Sequence, residues 1–517
     1  MMHPVQVTKE FANPETLAER TTRVSAPPDR ATSSAASALA RKVFSFPALL
    51  GALLVGTLFS PLRDFTADSD LWWHLKVGQD ILATHHWPTA DTYSFTAQGT
   101  PWMACEWLGE VLLAAVQRAR GLRGLMGLDL VLGAAVMLAL YALATLRSRS
   151  SKAAFVACLL LLFLTAVSLT LRPQMLGYFF LILTLIILER FRQGHAGTLW
   201  LLPPLFLVWV NTHGSFVVGL FAFAVYGISG LIGIRGGGLE SVRWTASERL
   251  RLGLVFLATL VAITITPYGT RLAGYPMDVA FSQPVNLAFV REWQPMPFNL
   301  LVGKLFLALL LGFLLVQVIL RPTWQLAELI LFLTGTVAAC LHARLLLIFV
   351  PFCAPVLAVI LSACLPRYNP GKDKYALNAL LMLAVVVGIV RFFPSQTELE
   401  TSVADQWPVK AVQYLEQHPA PQPMLNAYGY GGYLIYALGG RNKVFIDGRA
   451  DVYERACVLP DYRSIRWVAA NTLSLLRGYN IQSCLIARDE PLATLLAASS
   501  GWQKVYSDEL SVLFVRR

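Results

Sequence analysis

The chain has 517 residues, of which 56% are hydrophobic and only 14% are charged. This composition excludes an ordinary water-soluble globular protein, because several windows of about 18 residues or longer carry no charge, which is the length that spans a bilayer. The formal charge of +11 does not indicate nucleic-acid binding, since the cytoplasmic loops of membrane proteins accumulate Lys and Arg. We therefore predict an α-helical polytopic membrane protein.

The first segment, residues 1–40, is rich in Ser, Ala, Thr, Pro and charged residues and has no periodic pattern. We predict that it is a disordered cytoplasmic tail. Arg41 and Lys42 precede the first apolar run, Val43 to Leu62. Positive charge before a span holds that end in the cytoplasm, so the following loop, residues 63–124, is predicted to lie on the outer face.

That loop contains an unusual mixture of acids and aromatic residues between Asp68 and Glu106. Aromatic rings settle at the level of the lipid headgroups, and acids beside them can face a polar substrate. The apolar residues from Asp70 to Leu82 have helical spacing, and Cys105 to Val116 is a second amphipathic stretch. We predict two helices on the outer surface. Whether residues 105–119 instead span the membrane is left open.

Ten further apolar runs follow in the sequence. They are 125–146, 153–171, 174–190, 198–211, 213–234, 251–267, 302–320, 324–342, 344–364 and 376–393. With the first run they predict a membrane domain of about 11 transmembrane helices over residues 41–394. If the spans alternate, Lys and Arg outnumber acids in the inner loops, as the orientation rule requires.

Residues 395–517 are more polar and are predicted to form a small soluble α/β domain on the outer, periplasmic side. The strands are predicted at Met424–Asn426, Lys443–Ile446, Ile481–Ala487 and Val505–Val515, and the helices at Gly432–Ala437 and Ala469–Leu476. Whether Cys457 and Cys484 form a disulfide is left open.

Polar side chains collect near the predicted outer ends of the spans. They are Asp68, Asp70, His74, Glu106, Arg172, Asn211, His213, Arg271, Arg291, Glu292, His342 and Arg344. Almost nothing comparable is predicted at the inner ends. Ionisable groups at such depth are costly and usually face a cavity or a partner. The sequence therefore predicts one site, which opens to the outer face.

These residue types suit transfer from a lipid-linked phosphate sugar. Arg binds phosphate oxygens bidentately and stabilises the charge that develops on a leaving group. We predict that Arg172, Arg271 and Arg344, together with His213, bind the lipid phosphate.

A carboxylate in such a site can deprotonate the acceptor hydroxyl. Asp70 is the first candidate for this general base, and Asp68 is the alternative. Glu106 either assists this base or holds His74 in place. His74 is the fourth member of the candidate catalytic group.

Each of these residues also has a purely structural interpretation. Asp68 and Asp70 could cap the helix that follows. Trp72 and Trp73 could be interfacial anchors, the histidines could be hydrogen-bonded structural residues, and the arginines could reach toward lipid headgroups.

The first loop resembles that of the GT-C superfamily of membrane glycosyltransferases. Asp70-Leu-Trp-Trp-His-Leu-Lys is similar to the Asp-Pro-Trp-Tyr-His-Tyr-Arg type of sequence in oligosaccharyltransferase catalytic subunits. The order of a surface helix, a Gly-containing turn and then a span resembles bacterial members that modify lipopolysaccharide. The resemblance implies a GT-C-like fold, an acidic residue at the start of a surface helix, and a polyprenyl-phosphate or -diphosphate sugar as donor.

The tail carries a weaker resemblance, from Met424 to Ile435 and from Lys443 to Arg449. It looks like the region around the Trp-Trp-Asp-Tyr-Gly motif of oligosaccharyltransferases, but Asn426-Ala-Tyr-Gly stands in its place. Because that motif recognises the acceptor Ser or Thr of a sequon, its loss argues against N-glycosylation of proteins. A second Asp-x-Asp or Asp-x-Glu is absent from the outer loops, so binding of Mg²⁺ or Mn²⁺ is left open.

The prediction from sequence is thus a multi-pass enzyme of the bacterial inner membrane. It would move a sugar from a polyprenyl-phosphate-type carrier to a glycan, lipid or protein acceptor on the outer face. One alternative is a non-catalytic envelope assembly protein. Another is a lipid or polysaccharide transporter or flippase, which would need polar residues through the depth of the bundle and on both faces.

Overall fold

The computed structural model describes residues 35–60, 62, 66–165 and 170–517. The predicted disordered tail lies outside the described residues as far as residue 34. Helix α1 (Ala35–Val43) follows and belongs to a first unit, residues 1–43, while residues 44–517 form a second unit.

The membrane-domain part of this unit is helical. Its helices are α2 (Phe46–Leu58), α3 (Asp70–Thr84), α4 (Trp107–Ser148), α5 (Ser151–Thr165), α6 (Gln174–Arg192), α7 (Leu202–Val210), α8 (Phe216–Ser229), α9 (Ala246–Ala262), α10 (Thr270–Ser282), α11 (Pro284–Phe289), α12 (Leu301–Leu320), α13 (Leu326–Leu341), α14 (Leu346–Ser362) and α15 (Tyr375–Phe392). Three short strands, β1 (Ile234–Gly236), β2 (Leu239–Ser241) and β3 (Trp324–Gln325), form a small sheet in that order.

Five helical segments of the described residues are long and apolar enough to cross a membrane. They are α4, α6, α12, Ala343–Ser362 and α15. Shorter apolar helices of 10–17 residues are Phe46–Leu58, Ser151–Leu164, Ala196–Val210, Phe216–Ser229 and Leu326–Leu341. The chain is a multi-pass membrane protein. Each predicted run overlaps a helix, but the count of about 11 spans is not confirmed, because half of the apolar helices are too short to meet the length criterion.

Helix α4 joins two segments that the sequence analysis separated. The amphipathic stretch Cys105 to Val116 and the apolar run 125–146 are two separate helical segments within α4, as the sequence predicts. A kink divides it at Gly121, where φ is 61° and ψ is −151°. Glycine adopts this conformation without the steric cost that a Cβ would add. The first half of α4 packs along α3, and the second half enters the apolar bundle.

The tail contains helices and a second sheet. Its elements are α16 (Gln396–Gln406), α17 (Val409–Gln417), β4 (Met424–Asn426), α18 (Tyr428–Ala437), α19 (Ala450–Arg455), α20 (Val458–Arg466), α21 (Thr472–Gly478), β5 (Ser483–Ala487), α22 (Pro491–Ala498), β6 (Trp502–Ser507) and β7 (Ser511–Arg516). The sheet order is β4-β5-β7-β6, with β4 parallel to β5 and the other pairs antiparallel.

Most predicted tail elements are confirmed, with two corrections. The predicted strand Val505–Val515 is two antiparallel strands, because the chain turns back between β6 and β7. The predicted strand Lys443–Ile446 lies outside the named strands, and Val444 forms an isolated bridge with Ser94 of the first loop. Cys457 and Cys484 are both free thiols.

A buried charge cluster fastens the tail to the first loop. The guanidinium of Arg449 contacts Asp91 of the loop at 2.7 Å and Asp447 of the tail at 2.6 Å. All three side chains are buried. Arg449 also lies over the ring of Trp102, 4.7 Å from its centroid. Breaking a buried pair by removing one partner typically costs about 3–5 kcal/mol, so this cluster holds the tail over the beginning of α3.

The opposite ends of the helices also carry buried charges, contrary to the expectation from sequence. Arg147, near the end of α4, forms a two-pronged ion pair with Glu328 of α13. Arg192 pairs with Glu189 at the end of α6, with 2.7 Å between Nη2 and Oε1. Hydropathy did not reveal these pairs, because it marks charges at or near the ends of apolar runs without showing which of them meet.

Candidate active site

The candidate site surrounds the beginning of α3, where Arg172 gathers three carboxylates. Its guanidinium pairs with Asp68, lies 2.9 Å from Oδ2 of Asp70 and lies 3.7 Å from Oε1 of Glu292. The side chain of Arg172 is only 13% exposed. The loop before α6 thus delivers one cation to the two acids that the sequence analysis selected.

The carboxylate of Asp68 both caps α3 and faces the guanidinium of Arg172. Its Oδ1 accepts a hydrogen bond of 2.9 Å from the backbone N–H of Asp70, which satisfies one free donor at the start of α3. Its Oδ2 faces Arg172. Ser69, at the N-cap position, makes no capping hydrogen bond with its side chain. The capping interpretation therefore holds for Asp68, without excluding a role in the site.

Asp70 is held between a cation and an indole. Besides its contact with Arg172, its Oδ1 accepts a hydrogen bond of 3.1 Å from Nε1 of Trp73. Burial raises the pKa of the Asp70 carboxyl to about 6, although the Arg172 charge opposes this shift. A carboxyl with a pKa near the working pH suits a general base.

The second cation of the site, Arg344, follows α13. Its Nη1 lies 3.1 Å from Oε2 of Glu292, and its Nη2 donates to Oε1 of Gln174 at 3.2 Å. Its guanidinium also lies over the ring of Trp293, 5.4 Å from the centroid. Glu292 therefore joins the two arginines, one carboxylate oxygen to each.

A buried histidine–carboxylate group lies beside these charges. Nδ1 of His74 is 3.0 Å from Oε1 of Glu110, and its Nε2 is 3.6 Å from Oε2 of Glu106. Burial raises the pKa of Glu106 to about 7, against the lowering effect of the two arginines. The predicted association of Glu106 with His74 is present, and Glu110 adds a third member.

His213 faces the other oxygen of the same glutamate. Its Nε2 lies 3.3 Å from Oε1 of Glu106. Its Nδ1 accepts the backbone N–H of Ser215 at 3.1 Å and lies 2.7 Å from the hydroxyl of that residue. The hydroxyl in turn accepts from the indole N–H of Trp209 at 3.1 Å.

These donors fix the tautomer of His213. Backbone and indole N–H groups only donate, so Nδ1 of His213 is an acceptor and the ring proton sits on Nε2. Burial lowers the pKa of His213 to about 3, assisted by the Arg344 charge, which agrees with a neutral ring. His213 thus presents an N–H to Glu106.

The structure brings together most of the predicted residues. Asp68, Asp70, Arg172 and Arg344 share one charge network, and Glu106, His74 and His213 form an adjoining group. Arg271 is exposed on α10. Within the described part of the chain, no ion pair joins Arg271 to the network.

Several members of the site were given no role from sequence. They are Glu292, Glu110, Trp209 and Ser215. Glu110 had a signal, since it follows Glu106 at the i+4 position of a helical stretch. Glu292 was counted among the polar residues at the outer ends of the spans, and Trp209 and Ser215 looked like ordinary residues in or beside an apolar run.

The tail also contributes to the site. The backbone of Gly448 lies directly against the carboxylate of Asp70. Asn426, which stands at the place of the missing motif, is fully buried and bonds to the backbone of Phe445 and Ile446. Asn426 therefore supports the loop that carries Gly448.

A divalent metal does not fit this arrangement. Oδ2 of Asp68 and Oδ2 of Asp70 are both turned to Arg172. Over the described ranges, no group of three or more His, Cys, Asp or Glu side chains could hold a metal ion.

Comparison with known proteins gives a fold and no close relative in sequence. No protein-family model matches the chain, and no curated protein matches its sequence. One similar solved structure is the Archaeoglobus fulgidus oligosaccharyltransferase tethered to an acceptor peptide that contains the NVT sequon. It has a TM-score of 0.51 and 13% identity, and the match covers 92% of this chain and 75% of that one.

A second similar structure is the oligosaccharyltransferase AglB from the same organism in complex with an inhibitory peptide and a dolichol-phosphate. Its TM-score is 0.50 at 12% identity, and the match covers 84% of this chain and 69% of that one. At such low identity the likeness establishes the fold alone. The predicted resemblance to oligosaccharyltransferases is therefore confirmed at the level of the fold.

Proposed function

We propose that the protein is a membrane glycosyltransferase that moves a sugar from a polyprenyl-phosphate-type lipid carrier to an acceptor hydroxyl on the outer face of a bacterial inner membrane. One observation carries this proposal. Two guanidinium groups, Arg172 and Arg344, meet at Glu292, and Arg172 also pairs with Asp70, a partly buried carboxylate with a raised pKa, in an oligosaccharyltransferase-like fold. Cations for a leaving phosphate and a base for the acceptor are the parts that this reaction needs.

The proposed reaction is a single displacement. Asp70 takes the proton of the acceptor hydroxyl, and the acceptor oxygen attacks the anomeric carbon of the sugar. The bond from that carbon to the phosphate oxygen breaks, and the leaving phosphate keeps the electron pair. Arg172 and Arg344 hold the phosphate and neutralise the charge that grows on it.

Two further facts support the lipid-linked donor. The AglB structure contains a dolichol-phosphate, which is a lipid phosphate of the predicted class. The predicted excess of Lys and Arg in the inner loops supports an outward-facing site. The acceptor class stays open among glycan, lipid and protein, although the missing Trp-Trp-Asp argues against protein sequons.

The ion pairs at the far ends of the helices give little support to the transporter alternative. Arg147 is paired with Glu328, and Arg192 with Glu189. Because these charges satisfy one another and connect α4 to α13 and the two ends of one helical turn in α6, they support a structural role.

The first test concerns Asp70, the proposed general base. Purified wild-type protein in nanodiscs is given polyprenyl-phosphate sugars, and transfer and donor binding are both measured. Asp70→Asn should abolish transfer while the donor still binds, whereas Asp405→Asn, an exposed acid of the tail, should leave both unchanged. Transfer retained by folded Asp70→Asn would remove Asp70 as the base.

The phosphate-binding part is tested by three arginine variants. Arg172→Ala and Arg344→Ala should weaken binding of the lipid phosphate by at least about tenfold, since each removes a charged hydrogen-bonding partner. Arg271→Ala should have a smaller effect, because Arg271 is exposed on α10. If no phosphate lipid binds to folded wild-type protein, the assembly-protein alternative becomes the better explanation.

A further inference from the structure

Glu292 holds the position that an anionic ligand would take between the two arginines. Its Oε2 lies 3.1 Å from Nη1 of Arg344, and its Oε1 lies 3.7 Å from Nη2 of Arg172. Carboxylates and phosphates present paired oxygens to guanidinium groups in the same way. We propose that Arg172 and Arg344 form one phosphate-binding site, and that Glu292 is an internal competitor which the donor phosphate displaces. This inference rests on the proposed function and adds a way in which donor binding is regulated.

The two arginines are held in place by groups other than Glu292. Arg172 is fixed by Asp68 and Asp70, and Arg344 by Gln174 and the ring of Trp293. Withdrawal of Glu292 therefore leaves both guanidinium groups oriented toward a common point. A site whose donors are already oriented loses less entropy when its ligand binds.

The Glu292 side chain is the most exposed member of this network. It is 47% exposed, against 13% for Arg172 and 26% for Arg344. Ion pairs with an exposed partner contribute little, because water and salt screen them. The contact with Glu292 is thus weak enough for a phosphate with more charge and more acceptor oxygens to replace it.

The backbone that carries Glu292 is fixed on both sides, so displacement needs only a side-chain rotation. At the end of the 3-10 turn Arg291–Trp293, the Trp293 carbonyl accepts from Nδ1 of His342 at 2.6 Å. Before it, Glu454 of the tail accepts from the backbone N–H groups of Val285 at 3.0 Å and Asn286 at 2.5 Å. Rotamer changes of exposed side chains occur in picoseconds to nanoseconds.

Electrostatics also requires Glu292 to leave. Asp68, Asp70 and Glu292 already give three carboxylates around Arg172, against two arginine charges. A phosphate bound beside an ionised Glu292 would be repelled at close range. Removing the glutamate charge should tighten phosphate binding roughly 5- to 30-fold.

The experiment compares Glu292→Gln with wild type in the full chain, purified in nanodiscs. A matched control is Glu416→Gln, since Glu416 is a half-exposed tail residue with an arginine, Arg441, at 3.7 Å. The probes are a polyprenyl monophosphate and, separately, inorganic phosphate, and the dissociation constants are measured by native mass spectrometry and by calorimetry. We expect Glu292→Gln to bind the lipid phosphate 5- to 30-fold more tightly, and Glu416→Gln to match wild type.

The two probes distinguish the source of the phosphate. Tighter binding of both probes supports the proposal with a site for phosphate in general, and tighter binding of the lipid alone supports it with a site that also needs the chain. Unchanged or weaker binding of both probes by folded Glu292→Gln overturns the competitor role. If neither wild type nor Glu292→Gln binds a probe, the proposed donor site itself is overturned. If Glu292→Gln binds more tightly but no sugar is transferred, the competitor role of Glu292 is supported and only the proposed reaction is overturned.

Discussion

Gly448 lies so close to Asp70 that a side chain does not fit between them. A Cβ on Gly448 would be 1.9 Å from Oδ1 of Asp70 and 2.9 Å from Nε1 of Trp73. The tail loop therefore covers the proposed base, Asp70, with backbone atoms and no side chain. The buried cluster of Arg449, Asp447 and Asp91 holds that loop down, so the tail and the beginning of α3 together shape one side of the site.

The variant Gly448→Ala tests this contact. The methyl group would push the Asp70 carboxylate away from Trp73 and Arg172, so sugar transfer should fall at least tenfold, since about 1.4 kcal/mol of lost stabilisation is already a factor of ten. Gly429→Ala is the control, because a Cβ at Gly429 meets nothing within 4 Å. Equal activity of the two variants would show that the position of Asp70 does not matter.

The proposed base predicts a pH dependence. Burial raises the pKa of Asp70 to about 6, and a base must be deprotonated, so kcat/KM should be low below pH 6 and should rise through it. Glu292 adds a negative charge that raises this pKa further. Glu292→Gln should therefore move the midpoint of the rise to lower pH, and a midpoint that moves upward would contradict the assignment. The pH profile of Glu416→Gln provides the reference.

The same shift has a consequence for stability. Because the folded-state pKa of Asp70 lies above its ordinary value of 3.8, the folded state favours the protonated form. The contribution of this group to stability is present below about pH 4 and is lost as the pH rises through 6. Asp70→Asn should therefore flatten the dependence of thermal stability on pH between 4 and 7, measured by unfolding in detergent. An unchanged slope would mean that Asp70 keeps an ordinary pKa.

Substitutions of Ser215 and His213 should affect different properties. The first should change the stability of the fold, and the second should change the pH dependence of activity. In Ser215→Ala the Trp209 indole N–H loses its acceptor, which costs about 1–3 kcal/mol of stability. The backbone N–H of residue 215 still donates to Nδ1 of His213, so the tautomer and the pH profile should stay the same.

His213→Phe removes the N–H that faces Glu106. Loss of that hydrogen bond to the carboxylate should raise the pKa of Glu106 and move its contribution to the pH profile upward. A pH profile that shifts in Ser215→Ala and not in His213→Phe would contradict the hydrogen-bond directions assigned to this chain of residues.

Asp129 predicts a stabilising substitution. Its side chain is fully buried in α4, and neither carboxylate oxygen has a hydrogen-bond partner among the described residues. A buried unsatisfied polar group costs about 1–3 kcal/mol. Asp129→Leu should raise the unfolding temperature in detergent, while Asp405→Leu on the exposed face of α16 should not. A lower unfolding temperature of Asp129→Leu would show that this carboxyl has a partner in the membrane.

Local patterns were sufficient where a structure depends on neighbours in sequence. The apolar runs each coincide with a helix, and the spacing of Leu71, Leu75 and Gly78 predicted α3, because a helix brings residues three and four apart onto one face. The beginning of α3 next to Asp68 and Asp70 was also predicted, since an acid before a helical run is a frequent cap. The choice of Asp68, Asp70, Arg172 and Arg344 came from the same reasoning, applied to the polar ends of apolar runs.

Contacts between distant residues were beyond the reach of such patterns. Asp68 and Arg172 are 104 positions apart, and hydropathy cannot tell which arginine meets which acid. Arg271 and Arg344 look alike in sequence, yet one is exposed on α10 and the other meets Glu292. The kink between the two segments of α4 depends on the conformation of Gly121, which a glycine permits but does not impose.

The sequence by itself thus determined the membrane class, the order of the helices and the residue types available at one end of the bundle, because burial of apolar runs in lipid is a local property. Only the tertiary structure decided which charges pair, that Glu292 bridges two arginines, and that Gly448 closes over Asp70. Those relationships arise where separate helices and the tail meet, and the physical reason is packing: side chains 100 or more positions apart become neighbours only when the whole bundle has assembled.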